Sequence, residues 1–307
     1  MTSPYGPLVL IANPRAGKGK VGQRLPMIEH TLTDKGLDHR VVTTERPGHA
    51  TLAAREALSN GTRFVVAVGG DGTVHEVVNG MISDDAPVVE GAILGVIAAG
   101  SGCDFVKTFG LPNDVAGACA YLEGANTISI DVGKITFAGS EGRETTRYFP
   151  NIAEVGLGGA VCARAERLPR NLGRSRYFLG FWLTLPLFKP DRVRVEAGPH
   201  VYEGRAHNVV VANCQYFGGG MRISPKSWPG DGLLDVIVMT GPKSDAFTTL
   251  PKVYRGEHLP HPNMLELKAR RIRVEAGRPY RIEADGEVLG TTPVTFDIIR
   301  QPIALKI

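Results

Sequence analysis

The sequence predicts two domains, an α/β domain with a Rossmann-like parallel sheet over residues 1–128 and a mainly antiparallel β-sandwich over residues 129–307. Three observations predict this. In the first third, short apolar runs alternate with longer amphipathic stretches, which is the pattern of strands covered by helices on both faces. From about Ile128 the rhythm changes to short alternating segments separated by Gly, Pro and Asp-Gly turns, the pattern of antiparallel strands. That shift puts the boundary near 125–130, no low-complexity linker separates the halves, and the last strand is free to return to the first domain.

The elements follow in order. Pro7–Ala12 reads as a buried strand, followed by Asn13-Pro14 and a Gly/Lys-rich turn. Leu25, Ile28 and Leu32 have helical spacing, and that helix ends near Gly36. Arg40–Thr44 is a second strand, and Ala50–Leu58 a second helix that stops at Asn60-Gly61. Phe64–Val68 runs directly into Gly69-Gly-Asp-Gly-Thr73 and a helix through Met81. Ala92–Ala98 is a fourth strand, ending in Gly100-Ser-Gly102. In the second half, ISIDVGKITF, VRVEAG, AHNVVVANC, LLDVIVM, RRIRVEA, YRIEA and VTFDII read as strands.

Composition removes several classes. Thirty-five Lys and Arg against 31 Asp and Glu give +4, spread too evenly to indicate nucleic acid. No apolar run approaches the roughly 18–20 residues of a spanning helix. Cys103, Cys119, Cys162 and Cys214 lack CxxC or zinc-site spacing. Without a secretory signal they read as free thiols in a reducing, cytoplasmic compartment.

Glycine clusters carry the chemistry. Gly17-Lys-Gly-Lys-Val-Gly22 matches GxGxxG literally, but Asn13, Pro14, Arg15 and Ala16 separate it from the strand, and no GK[ST] ending follows. It reads either as a flexible basic turn or as a phosphate-facing loop. Gly69–Thr73 is more informative, because three glycines, one carboxylate and one hydroxyl sit where a strand becomes a helix. Such a turn lets the backbone approach phosphate oxygens at a helix N-terminus. Asp71 is then placed to orient Mg²⁺ and Thr73 to donate a hydrogen bond. Gly100–Phe105 repeats the geometry one strand later.

Asn13-Pro14 with Gly17, Gly69–Thr73 with Glu76 and Asn79-Gly80, and Gly100-Ser-Gly-x-Asp-Phe105 resemble the diacylglycerol kinase catalytic-domain family, soluble bacterial lipid kinases related to sphingosine kinases and NAD kinases. The second half keeps that family's order: Asn151-x-x-x-x-Gly156-x-Gly158, Phe217-Gly-Gly-Gly-Met221, Pro229–Asp235 and Asp285-Gly286-Glu287. The resemblance spans nearly the whole chain. It implies ATP as co-substrate with Mg²⁺, and a diacylglycerol-like lipid as acceptor. ATP would be contacted by Asn13, Thr44, Gly69, Gly70, Asp71, Gly72, Thr73, Glu76, Gly100 and Ser101. Glu287 would be the general base with Asp285 beside it, because a hydroxyl must lose its proton as the γ-phosphoryl arrives. Asp285-Gly286 also reads as a type I′ turn, which is compatible with carrying the base. The resemblance further implies a structural Mg²⁺ held by Asp231 and by the carbonyls of Trp228 and Leu233, oxygen ligands that suit the ion.

Cys103 and His75 depart from the family pattern, where Asn is usual. Other readings stay open at this point: a sphingoid base or non-lipid acceptor, or a regulator that has lost catalysis. Arg164, Arg167, Arg170, Arg174 and Arg176 precede an aromatic stretch, Tyr177–Phe188. This segment reads as a core helix, a contact of a homodimer, a lid or wall over the acyl chains of a lipid, or a transient peripheral contact with the inner membrane surface.

Overall fold

The computed structural model describes residues 3–307 except 101, 102, 140, 141, 170, 171 and 174. The chain forms two compact units, Met1–Asp131 with Ile299–Ile307, and Val132–Ile298.

In the first unit, β1 (Leu8–Ala12), α1 (Lys20–Asp34), β2 (His39–Thr43), α2 (His49–Ser59), β3 (Phe64–Val68) and α3 (Asp71–Met81) alternate. A two-residue hairpin, β4 (Ile82–Ser83) with β5 (Ala86–Pro87), precedes β6 (Ile93–Ile97), α4 (Asp104–Thr108) and α5 (Val115–Ala120). The strands β6, β3, β1 and β2 are neighbours in that order and all parallel. Every residue of β1, β3 and β6 is buried, which is why these strands read as unbroken apolar runs. Val21, Ile28 and Leu32 of α1 cover one part of the core with Leu8, Leu10, Phe64 and Val66. Beyond β6 lies the end of the last strand, β18 (Val294–Lys306), whose Ala304 and Leu305 pair in parallel with Ile93 and Leu94.

The second unit carries two antiparallel sheets. One comprises β14 (Met264–Ala269), β13 (Leu234–Met239), β12 (Asn208–Ala212), β9 (Ile152–Gly156), β16 (Arg281–Ala284) and β17 (Glu287–Thr291), in that spatial order. The other comprises β11 (His200–Ala206), β10 (Asp191–Ala197), β15 (Arg271–Ala276) and the first half of β18, joined by β7 (Thr127–Ala138) and β8 (Glu144–Phe149). Val193, Val195, Ile272, Val274 and Phe296 of the second sheet pack on Val155, Val209, Val211, Val236 and Ile282 of the first, forming the sandwich core. The alternating burial of β10 and β15 matches the pattern that predicted them. Three helices escape that pattern: α6 (Leu157–Glu166), α7 (Ser175–Thr184) and α8 (Asp245–Arg255).

Candidate functional site

In the first unit, three turns leave the C-terminal ends of β1, β3 and β6 and meet. Asn13 N donates to Val68 O at 3.1 Å, and Gly69 N donates to Ile97 O at 3.1 Å. A Cβ on Gly100 would stand 3.4 Å from Gly17 N and 3.8 Å from Gly69 O, so the glycine clusters far apart in sequence lie against one another. Asn13 closes its own turn by accepting Arg15 N at its Oδ1. Thr44, just beyond β2, donates its N–H to Ala12 O at 2.8 Å and is buried beside the same strand end. Arg24 of α1 donates to Ala99 O at 3.0 Å, which brings a guanidinium to the third turn. Nothing in the sequence marked Arg24, because its partner is 75 residues away.

The Gly69–Thr73 turn is tightly folded. Gly70 is the extended residue before α3, and its carbonyl accepts from Thr73 N and Val74 N. A Cβ on Gly69 would fall 2.2 Å from Thr73 Oγ1, so only glycine admits this packing. Gly72 is exposed and Thr73 buried.

Asp71 does more than its position at the start of α3 suggests. Its Oδ1 accepts Asp104 N at 2.7 Å, Phe105 N at 3.0 Å and the Cys103 thiol at 3.2 Å. One carboxylate oxygen thus satisfies the exposed N–H groups at the start of α4 and ties the second turn to the third. Cys103 is fully buried. Burial first, then the Asp71 charge, pushes its thiol well above its ordinary value. It is a neutral donor to Asp71, not a nucleophile. Ser101, expected to contact nucleotide, lies outside the described residues, as do Arg170 and Arg174. Glu76 ties α3 to α2: its Oε2 accepts Ala50 N at 3.0 Å at the start of α2, and its carbonyl accepts the Thr51 hydroxyl.

The second unit carries the other candidate residues. Asp285 and Gly286 join β16 to β17 with φ of 50° and 89°, the two positive values a type I′ turn requires. Asp285 is anchored, since its Oδ1 accepts Ile152 N at 3.0 Å and its N–H donates to Ile152 O at 3.0 Å. Glu287 is exposed at the first position of β17. In this hairpin Asp285 fastens the turn to β9, and Glu287 is exposed at the start of β17.

The turn at Trp228–Leu233 forms, and its Trp228 carbonyl and Asp231 carboxylate already accept hydrogen bonds. Trp228 O accepts Gly230 N at 2.8 Å and Asp231 N at 3.4 Å. Asp231 Oδ1 accepts Leu233 N at 2.9 Å, and Oδ2 pairs with Lys268 Nζ at 2.7 Å. Lys268 also reaches Asp235 Oδ2 at 3.4 Å. Burial alone would lower the Lys268 ammonium, but the bond to Asp231 and the Asp235 charge outweigh it and hold it above its usual range. Among the described residues no group of three or more His, Cys, Asp and Glu is placed to hold a metal. The Mg²⁺ expected at Trp228, Asp231 and Leu233 would share the Asp231 carboxylate with Lys268, which already supplies a positive charge there.

Comparison with known proteins agrees with this architecture. Residues 7–135 match the model of the diacylglycerol kinase catalytic domain, and residues 151–307 match the YegS C-terminal NAD kinase beta sandwich-like domain. A protein named diacylglycerol kinase from Staphylococcus haemolyticus is 29% identical over 94% of this chain and 84% of its own length. Another so named, from Staphylococcus aureus strain MRSA252, is 28% identical over 94% of this chain and 88% of its own. Among solved structures, one described as a diacylglycerol kinase from Bacillus anthracis str. Sterne superposes with a TM-score of 0.73 at 25% identity, covering 98% of this chain and 96% of that one. Yeast NADH kinase shares the fold, with a TM-score of 0.51 at 12% identity over 97% of this chain and 82% of that one. With both domain models matched in order along its length, the chain belongs to the family that joins a diacylglycerol kinase catalytic domain to a YegS-type NAD kinase-like β-sandwich.

Proposed function

We propose that the protein is a lipid kinase that transfers the γ-phosphoryl group of ATP to the hydroxyl of a diacylglycerol-like lipid. The meeting of three glycine-rich turns at the ends of β1, β3 and β6 carries this reading. Such a meeting offers backbone N–H groups to phosphate oxygens, and it lies in the part of the chain that matches the kinase catalytic domain. Mg²⁺ bound with the nucleotide near Asp71 would screen the phosphate charge. Glu287 accepts the proton of the attacking hydroxyl, and Asp285 holds the turn on which Glu287 stands. Transfer of label from γ-labelled ATP to a panel of lipids in mixed micelles tests the reading. Labelled diacylglycerol phosphate is the expected product, and no labelled lipid with any acceptor would overturn it.

A lipid acceptor requires a visit to the membrane surface, and no described helix is long and apolar enough to cross one. The helix α7 is not a core helix, since only Gly180 and Thr184 of it are buried. Phe178 is 56% exposed and Leu187 67%, while Trp182 packs on Phe247 of α8, itself 66% exposed, with ring centroids 4.9 Å apart. Arg176 stands on the same helix, and Arg164 and Arg167 on the last turn and C-cap of α6, which packs against α7 at Gly180. We take this apolar face as the surface that touches anionic lipid at the cytoplasmic face. Phe178→Ser with Phe247→Ser is expected to lower binding to vesicles containing anionic phospholipid about tenfold or more without changing Tm. Unchanged sedimentation with vesicles would remove the contact.

A further inference from the structure

Two glutamates outside the residues considered so far lie directly beneath the Asp285-Gly286 turn. Glu154 on β9 and Glu283 on β16 are opposite one another in the antiparallel register, and both are buried. Two carboxylates in that relation repel one another if both are ionised. Their surroundings contain a hydrogen-bond pattern that one proton completes. Asn208 Nδ2 donates to Glu154 Oε1 at 2.6 Å, and Glu283 stands directly opposite Glu154 across the strand pair. Gly286 N donates to Glu283 Oε2 at 2.8 Å. Glu283 therefore has one oxygen accepting from the turn, while a proton on the pair is needed for its contact with Glu154. The space is closed: a Cβ on Gly158 would fall 2.3 Å from Glu154 Oε2, and the Cys162 thiol donates to Gly286 O at 2.9 Å.

We propose that Glu154 and Glu283 share one proton, and that the proton-bound pair positions the Asp285-Gly286-Glu287 turn through the Gly286 N–H. Both act as positioning residues. The effect on turnover rests on the reading of Glu287 as the base, whereas the shared proton rests on the geometry of the pair.

Among the described residues, the charged and titratable groups facing the pair are Asp285 on the turn, Cys162 on α6 and Tyr177 on α7, with Glu166 of α6 and Arg176 of α7 next to Cys162. The one cation among them, Arg176, donates to Tyr177 Oη at 3.1 Å. Burial, acting first, pushes Glu154 from 4.5 up to about 7, with the hydrogen bonds from Asn208 and Glu283 working in the other direction. Burial and then the Glu154 charge push Glu283 well above its ordinary value. The unfolded chain releases these protons near 4.5 and the folded chain holds them longer. Folding is thus favoured at low pH and loses stability as pH rises from about 4.5 through 7.

Glu283→Gln reproduces the protonated arrangement, with its amide N–H₂ donating to Glu154 and its oxygen accepting Gly286 N–H. Thermal unfolding of the full chain is compared for wild type, Glu283→Gln and Glu283→Ala from pH 5 to 8. The Tm of wild type and Glu283→Gln should nearly coincide at pH 5 and separate by several degrees at pH 8, with the glutamine form higher. Parallel curves, or a Glu283→Gln chain that does not fold, would overturn the shared proton. In lipid phosphorylation, Glu283→Ala should lose about tenfold in kcat with KM for ATP unchanged, and Glu283→Gln should restore most of it. Equal kcat for wild type and Glu283→Ala, or a glutamine form as slow as the alanine form, would overturn the positioning role. If wild type transfers no phosphoryl group to any lipid, the kinase reading fails, while the unfolding comparison still decides the pair.

Discussion

Glu287→Gln is expected to lower lipid phosphorylation by roughly 10²–10⁴-fold while leaving Tm within a degree or two. The amide has the size and polarity of the carboxylate but cannot accept the proton of an attacking hydroxyl. The small effect on stability follows from exposure: Glu287 begins β17 at the surface, and exposed substitutions away from special backbone geometry change stability by about 0.5 kcal/mol or less. Asp285→Ala should behave differently. It leaves Ile152 N without its acceptor and places alanine at φ 50°, so Tm falls together with activity. Steady-state turnover with Tm measured on the same preparations checks both. Full activity in Glu287→Gln would remove Glu287 as the base.

Asp71 offers the second large effect. Asp71→Ala strips the acceptor from Asp104 N, Phe105 N and the Cys103 thiol at once. A buried donor left without a partner costs about 1–3 kcal/mol, so a loss of roughly 2–4 kcal/mol and a collapse of turnover are expected. Asp71→Asn keeps an oxygen for the same donors and removes only the charge. Its Tm should stay close to that of wild type, with turnover lowered about tenfold or more if the charge also serves nucleotide phosphates through Mg²⁺. Wild-type turnover in Asp71→Asn would show that Asp71 acts as a helix cap alone. Denaturant unfolding paired with ATP-dependent turnover separates these outcomes.

The sequence expectation for Asp71 and what the structure shows illustrate a general division. A run such as Phe64–Val68 followed by Gly69-Gly-Asp-Gly-Thr73 announces a buried strand, a turn of close backbone approach and a helix start, because each of those demands is local. The same holds for Asp285-Gly286, whose two residues meet the backbone needs of a type I′ turn by themselves. The partners of Asp71 lie 32 to 34 residues away, and no local pattern selects them. Glu76 shows the limit from the other side. Its position in the family motif points to a nucleotide contact, and its carboxylate also accepts Ala50 N at the start of α2, 26 residues earlier, a partner that no local pattern selects.

The metal expectation differs in the same way. Trp228, Asp231 and Leu233 do form the turn that the Pro-Gly-Asp-Gly sequence announces. Whether that turn attracts a divalent ion depends on the charge already beside Asp231, and Lys268 arrives from the neighbouring strand β14. The reading of Tyr177–Phe188 as a core helix, a dimer contact or a membrane contact stayed open for a related reason. An apolar helix declares that it buries a face, but not which face or against what. Phe247 on α8, unmarked in the sequence, joins that surface by stacking on Trp182.

Alternation of apolar and polar residues, glycine placement and the order of motifs determined the fold class, the two-part organisation and the family of this protein. These follow from backbone sterics and burial, which act within a few residues of each position. Tertiary structure alone decided that Asp71 caps α4, that Lys268 supplies the charge at Asp231, and that Glu154 faces Glu283. Those outcomes depend on cross-strand register and on electrostatic contacts between distant segments. The alternation in YRIEA shows that a strand exists, but only its pairing with β9 brings Glu283 and Glu154 onto one buried face beneath the turn that carries Glu287.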